Sequence, residues 1–201
     1  GIMNIRLTSG AIIVCKSRKA LVRLQKSMRE GGIEKHYRTL VKGDWVNDRQ
    51  HVKLPLFKYV TKEGERRVRV DPEKGVPSHS IFTLIRRYGD VSFLDVELLT
   101  GRTHQIRVHC ESLGLPLLGD PVYRGGLQPI DDGTVFSIKR QCLHASRLGL
   151  THPVTGKRME WFAAPPADLA EVMQALDFGP LDQPVTVFDE EAPLGAAPDW
   201  E

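Results

Sequence analysis

From Leu99 to His109 the chain reads Leu-Thr-Gly-Arg-Thr-His-Gln-Ile-Arg-Val-His, which gathers Arg102, His104, Gln105, Arg107 and His109 into one short stretch. The pattern predicts the end of a strand followed by a helix, with Thr103 as N-cap, Ile106, Cys110 and Leu113 along one apolar stripe, and Gly114-Leu115-Pro116 as the stop. Such a junction offers unpaired N–H groups and a positive helix end, and so suits an anion. Arg107 follows Thr103 by about one turn, which sets it near the ligand side together with Arg102. The two arginines either bind phosphate or form a surface ion-pair network, and residue types alone leave both open. His104 and His109 are five apart and do not stack on one helical face as a metal pair does, so no metal is expected. Each histidine taken alone reads as a hydrogen-bonded structural residue.

The surrounding pattern is that of an α+β domain with a mixed, mainly antiparallel sheet, flanking helices and long loops. Ala11–Cys15 reads as a short buried strand. Ser17 then caps a helix with Ala20, Leu21, Leu24 and Met28 on its apolar face, stopped by Gly31-Gly32. Lys16, Arg18, Lys19, Arg23, Lys26 and Arg29 dominate its other face. Tyr37–Val41 reads as a strand, and residues 47–64 as loop broken by short extended pieces. Arg66–Val70 alternates, so its apolar and basic residues face opposite ways. Ser80–Tyr88 and Val91–Leu99 flank Gly89-Asp90 as a hairpin, with Leu94, Val96 and Leu98 on one face and Asp95 and Glu97 on the other. Leu143–Leu150 and Arg158–Ala163 are strands around a Pro153–Gly156 turn. In Ala167–Leu176 the apolar residues Leu169, Val172, Met173 and Leu176 recur at helical spacing.

Composition narrows the class further. The 201 residues, 41% hydrophobic and 26% charged, are enough for one well-packed domain. No apolar run reaches the about 18–20 residues a membrane span needs. The three cysteines are scattered and odd in number, which fits a reducing cytoplasm better than a disulfide framework. The net charge of +3 averages two unlike regions. Residues 1–158 hold all 28 Lys and Arg against 15 acids, a net +13, while residues 159–201 hold 10 acids and no Lys or Arg. An excess of this size suggests a polyanionic partner such as nucleic acid, the alternative being a well-solvated surface with an acidic solubilising tail.

Taken with Gly114-Leu115-Pro116-Leu117-Leu118-Gly119-Asp120-Pro121-Val122-Tyr123, the Leu99–His109 segment resembles the signature of the bacterial large-subunit rRNA pseudouridine synthases. Three more blocks agree in order and spacing: Arg6-Leu7-Thr8-Ser9-Gly10, Lys35–Gly43 around Tyr37, and Leu143-His144-Ala145 through His152-Pro153 and Thr155-Gly156. The resemblance runs from about Arg6 to Leu176. It implies a catalytic domain over residues 1–178 that lacks its first strands, followed by an acidic tail at 179–201. It further implies cofactor-free isomerisation of uridine to pseudouridine in large-subunit rRNA. Apart from the resemblance, a cytoplasmic protein with no membrane partner is expected, with a monomer as the default. Tyr37 matches the tyrosine that packs on the uracil, although by itself it reads as an ordinary sheet residue. Arg107 matches the basic residue that pairs with the catalytic aspartate. RNA contacts are implied for Arg6, Arg102, Thr103, His104 and Gln105.

One departure matters more than the matches. The position of the family's nucleophilic aspartate is Ile5, which cannot act as nucleophile or base. Asp95, Asp120 and Asp131 are other acids, but none occupies the motif position, and Asp120 beside Pro121 reads as a turn residue. A loss of upstream segments accounts for the missing strands and the missing aspartate together. The alternative is a catalytically silent RNA-binding or ribosome-assembly module on the same fold. Without the aspartate, Arg107 is expected to have spare hydrogen-bonding capacity for water or an anion, an expectation that a buried carboxylate on Arg107 would overturn.

Overall fold

The computed structural model of the chain describes residues 7–124 and 140–176. Ile5, Arg6, Asp131 and the expected boundary at 178/179 with its acidic tail lie outside the described residues. In chain order the elements are β1 (Ser9–Gly10), α1 (Arg18–Arg29), β2 (Ile33–Lys42), β3 (Arg49–Val52), β4 (Leu56–Val60), β5 (Arg66–Val70), β6 (Ser80–Tyr88), β7 (Val91–Leu98), α2 (Gln105–Ser112), β8 (Leu143–Thr151), β9 (Arg158–Phe162) and α3 (Ala167–Ala175).

The main sheet runs β1-β8-β2-β7-β6-β3, with β9 also on β8, and β4 and β5 form a separate two-stranded ribbon. Among the described residues only the short β1–β8 pair is parallel. The mixed, mainly antiparallel α+β architecture expected from the sequence is therefore present. The hairpin turns at Gly89-Asp90, where Gly89 takes a positive φ of 56°.

Both faces of the sheet are covered, which is why β7 is buried almost throughout. On one face, Leu169, Val172, Met173 and Leu176 at α3 pack against Leu40, Val91, Phe93, Leu118 and Cys142. On the other, Ile106 and Cys110 of α2 pack against Val41, Phe82, Leu94, Val96 and Leu98. Val108, on another side of α2, joins Leu56, Val68 and Tyr123 in a smaller cluster that anchors the β4–β5 ribbon. Thus α2 is wedged between sheet and ribbon, and its start faces the space between them.

Two local expectations are corrected. Ala11–Cys15 is not a strand, and Ile12 and Val14 are exposed. β1 takes the edge of β8 only at His144–Ala145, and β9 occupies that edge from Arg147 onward, so the apolar run finds no ladder to join. Ala11, Ile13 and Cys15 instead pack beside Leu24 and Met28 of α1. Within α1, whose N-cap Ser17 accepts from the Ala20 N–H, Leu24 is buried but Leu21 is turned to solvent. The short extended pieces expected within residues 47–64 are the strands β3 and β4, the first paired with the later β6 and the second with β5 in a hairpin across Thr61–Glu65.

Among the described residues no helix is long and apolar enough to cross a membrane. Cys15, Cys110 and Cys142 are free thiols, the last two buried.

Candidate functional site

A cleft of about 660 Å³ opens between the main sheet, the start of α2 and the β4–β5 ribbon. Its floor includes Tyr37 of β2 and Leu143 of β8, one wall is Thr103–Arg107, and the other is the ribbon. Lys58, Arg66, Arg67 and Arg107 line it, with no Asp or Glu among the described residues of its lining. The cleft is a cationic, partly apolar slot, suited to an anionic ligand that carries a flat ring.

Tyr37 is aimed by a break in the ladder. His36 pairs with Arg147 and Tyr37 with Ala145, so the β2–β8 register shifts between these two residues. A bulge of this kind re-aims a side chain while leaving the strand in the sheet. Burial holds the Tyr37 phenol above its ordinary pKa, so the ring stays uncharged. On the opposite face of β2, Asp95 pairs with His36 at 3.0 Å and Arg38 at 3.6 Å, and it is not part of the cleft.

The turn into α2 is closed by Gln105. Its Oε1 accepts from the Thr100 hydroxyl at 2.7 Å and the Arg102 N–H at 3.0 Å, and its Nε2 donates to His79 O and Ser80 Oγ. Thr103 is consequently not the N-cap. That position falls to His104, which adopts a left-handed backbone (φ 54°) and makes no side-chain capping bond. His109 is wholly buried between Ser78, Ser80 and the Leu54 carbonyl, and is structural as the sequence suggested.

Arg107 overturns the expectation of a free guanidinium. Its Nε and Nη2 donate to the two carboxylate oxygens of Asp120 at 2.7 and 2.8 Å, and the Asp120 side chain has no exposed surface. The turn role read for Asp120 is real as well, since its Oδ1 also accepts from the Val122 and Tyr123 N–H groups. The same carboxylate therefore folds the turn and neutralises the arginine. The Arg107 guanidinium lies 4.8 Å from the centre of the Tyr123 ring. Tyr123 in turn hydrogen-bonds His104 Nδ1 at 2.7 Å and accepts the Val68 N–H of the ribbon at 3.0 Å.

Of the residues named from sequence, Tyr37, Thr103, His104, Gln105 and Arg107 thus come together around one cleft. Arg102 is not among the lining residues, and its Nε donates to the Pro77 carbonyl. Sequence reasoning missed Tyr123 and the ribbon's Lys58, Tyr59, Arg66 and Arg67. The alternation of Arg66–Val70 was the one signal for the ribbon.

The family model for RNA pseudouridylate synthase matches residues 6–112, just over half of the chain. The chain belongs to this family. It is 40% identical over 174 residues to ribosomal large subunit pseudouridine synthase C of Salmonella typhimurium, and 39% identical over 174 residues to the protein of that name from Escherichia coli. Each alignment covers 85% of this chain and 54% of the relative, so the chain spans about half the length of the curated relatives it matches. Two solved human structures share the fold of the family. RNA pseudouridylate synthase domain containing 1 has TM-score 0.55 and 24% identity over 82% of this chain and 74% of its own. RNA pseudouridylate synthase domain containing 4 has TM-score 0.63 and 17% identity over 80% of this chain and 69% of its own. The cleft therefore sits in the fold of this family, with Tyr37 and Arg107 both within the matched span.

Proposed function

We propose that the chain is the catalytic-domain portion of a pseudouridine synthase that isomerises uridines in large-subunit rRNA. The observation that carries this reading is the joint placement of Tyr37 and Arg107 in one basic cleft. In the reaction the N1–C1′ glycosidic bond breaks, the uracil turns, and C5 bonds to C1′ while the C5 proton moves to N1, so no cofactor is needed. A base that reacts this way must leave its stack at a cost of a few kcal/mol. Tyr37 offers the face on which it rests, and the Lys58, Arg66 and Arg67 wall attracts the flanking phosphates. Arg107, held rigid by Asp120, directs its remaining N–H groups at the reacting nucleotide. Arg6 and Arg102 extend the RNA contact, and the domain acts as a cytoplasmic monomer. Residues 1–178 form the domain, and the acidic segment 179–201 is an appended tail.

A second reading, a silent RNA-binding module, is favoured by Ile5 at the aspartate position and by the complete Arg107–Asp120 pair, which orients the arginine without another acid. The deciding experiment maps pseudouridine in large-subunit rRNA from cells with and without the full-length gene. Loss of one or more modified positions, restored by the gene, is the expected result. An unchanged map overturns the enzyme reading and leaves the silent module.

A further inference from the structure

Tyr123 is 4% exposed, so its hydroxyl proton requires an acceptor inside the protein. The phenolic oxygen already accepts the Val68 N–H at 3.0 Å. The acceptor in reach is His104 Nδ1, 2.7 Å away, with the two rings edge to face at 5.4 Å. Tyr123 therefore donates to Nδ1, and the ring proton of His104 sits on Nε2. Burial, reinforced by the charge of Arg107, lowers the His104 pKa to about 4, so at neutral pH the imidazole carries that single proton. Nε2 has no hydrogen-bond partner among the described residues, and the ring lines the cleft with Tyr37 and Arg107. His104 is also spared the capping work its position at the start of α2 would demand, and it holds a left-handed backbone that a side chain rarely adopts. Strain of this kind persists where the surrounding structure enforces an orientation.

We propose that His104 is a specificity-determining residue whose Nε2–H donates to the C4 carbonyl oxygen of the uracil, an inference that rests on the uridine-binding reading of the cleft. A donor fixed in one direction discriminates only where the competing base lacks an acceptor. The C2 carbonyl is common to uracil and cytosine, whereas at C4 cytosine carries an amino group that would meet the Nε2–H donor to donor. Selection against an isostere is strongest at sites built to satisfy one specific hydrogen bond. Because His104 is neutral and has no free lone pair facing the cleft, it selects the base without acting as a proton acceptor.

The test reads the 15N-labelled imidazole of the full chain by NMR while uridine 5′-monophosphate or cytidine 5′-monophosphate is added. At pH 7 the tautomer protonated on Nε2 is expected, with that N–H shifting on addition of the uridine nucleotide and not the cytidine nucleotide. His104→Leu is expected to cut the preference for the uridine nucleotide about 3- to 10-fold, the worth of one hydrogen bond, and His104→Gln, which keeps a donor near the Nε2 position, to retain most of it. A proton on Nδ1, an equal response to both nucleotides, or a uridine nucleotide that shifts the Tyr37 ring signals but not His104 overturns the inference and leaves the uridine cleft standing. A uridine nucleotide that shifts neither residue overturns both.

Discussion

Arg107 and Asp120 form a two-point ion pair in which Nε meets Oδ2 at 2.7 Å and Nη2 meets Oδ1 at 2.8 Å, the carboxylate sealed from solvent. Removing one partner of a buried pair leaves an uncompensated charge, at a cost of about 3–5 kcal/mol. Asp120→Asn keeps an oxygen for the Val122 and Tyr123 N–H groups but removes the charge, so it isolates the pair from the turn. The expected outcome is a loss of about 3–5 kcal/mol in urea unfolding, with much of it recovered in the double variant Asp120→Asn, Arg107→Met. Equal and additive losses in the two single variants would show that the two residues stabilise the protein independently.

Tyr37 presents an uncharged ring to the cleft, and its proposed task is stacking, which needs the ring and not the hydroxyl. Tyr37→Phe should bind a large-subunit rRNA transcript within about twofold of the wild type, whereas Tyr37→Ala should lose about 1–3 kcal/mol, the usual contribution of one base–aromatic stack. Equilibrium binding at fixed salt distinguishes them. Equal losses in both variants would assign the tyrosine's contribution to its hydroxyl.

The ribbon side chains Lys58, Arg66 and Arg67 face the same cleft and should act on phosphate charge. Lys58→Met and Arg66→Met are each expected to reduce the slope of log K against log salt by about 0.7–0.9, and Arg67→Met by less, because Arg67 is already paired with Glu65. Arg69 serves as the control. It lies on the Phe57 and Tyr59 rings and pairs with Asp71 at 3.1 Å, so its replacement should leave the slope unchanged.

What could be read from the sequence was what local spacing determines. The Gly89-Asp90 hairpin and the Leu169–Leu176 stripe follow from periods of two and 3.6, and both stand in the structure. The chemistry at Leu99–His109 was legible from residue types, and its members do gather at the cleft. Ala11–Cys15 was misread because its fate depends on β9, about 150 residues later, which takes the edge of β8. The Arg107–Asp120 pair escaped notice because turn propensity already accounted for Asp120. The ribbon wall escaped because the packing of Val68 on Val108 and Tyr123, which tertiary contact alone establishes, decides which way β5 faces.

The histidines give the protein a defined acid sensitivity. His104 drops from its ordinary 6.5 to about 4 in the folded protein through burial and the nearby charge of Arg107, and burial also lowers His109 and His144. Between pH 6.5 and 4 the unfolded chain therefore binds protons at these positions that the folded chain refuses, so stability rises with pH across that window. Unfolding midpoints in urea should be constant from pH 8 to 7 and fall steadily as pH is lowered from 6.5 toward 4. The loss attributable to His104 follows from its burial beside Arg107, and a proton on Nδ1 would also set two donors against each other at Tyr123. His104→Gln removes that titration, so its midpoint should fall less steeply than that of the wild type over the same range. A variant with the full wild-type slope would place the sensitivity in His79, His109 and His144 instead, all lowered by burial.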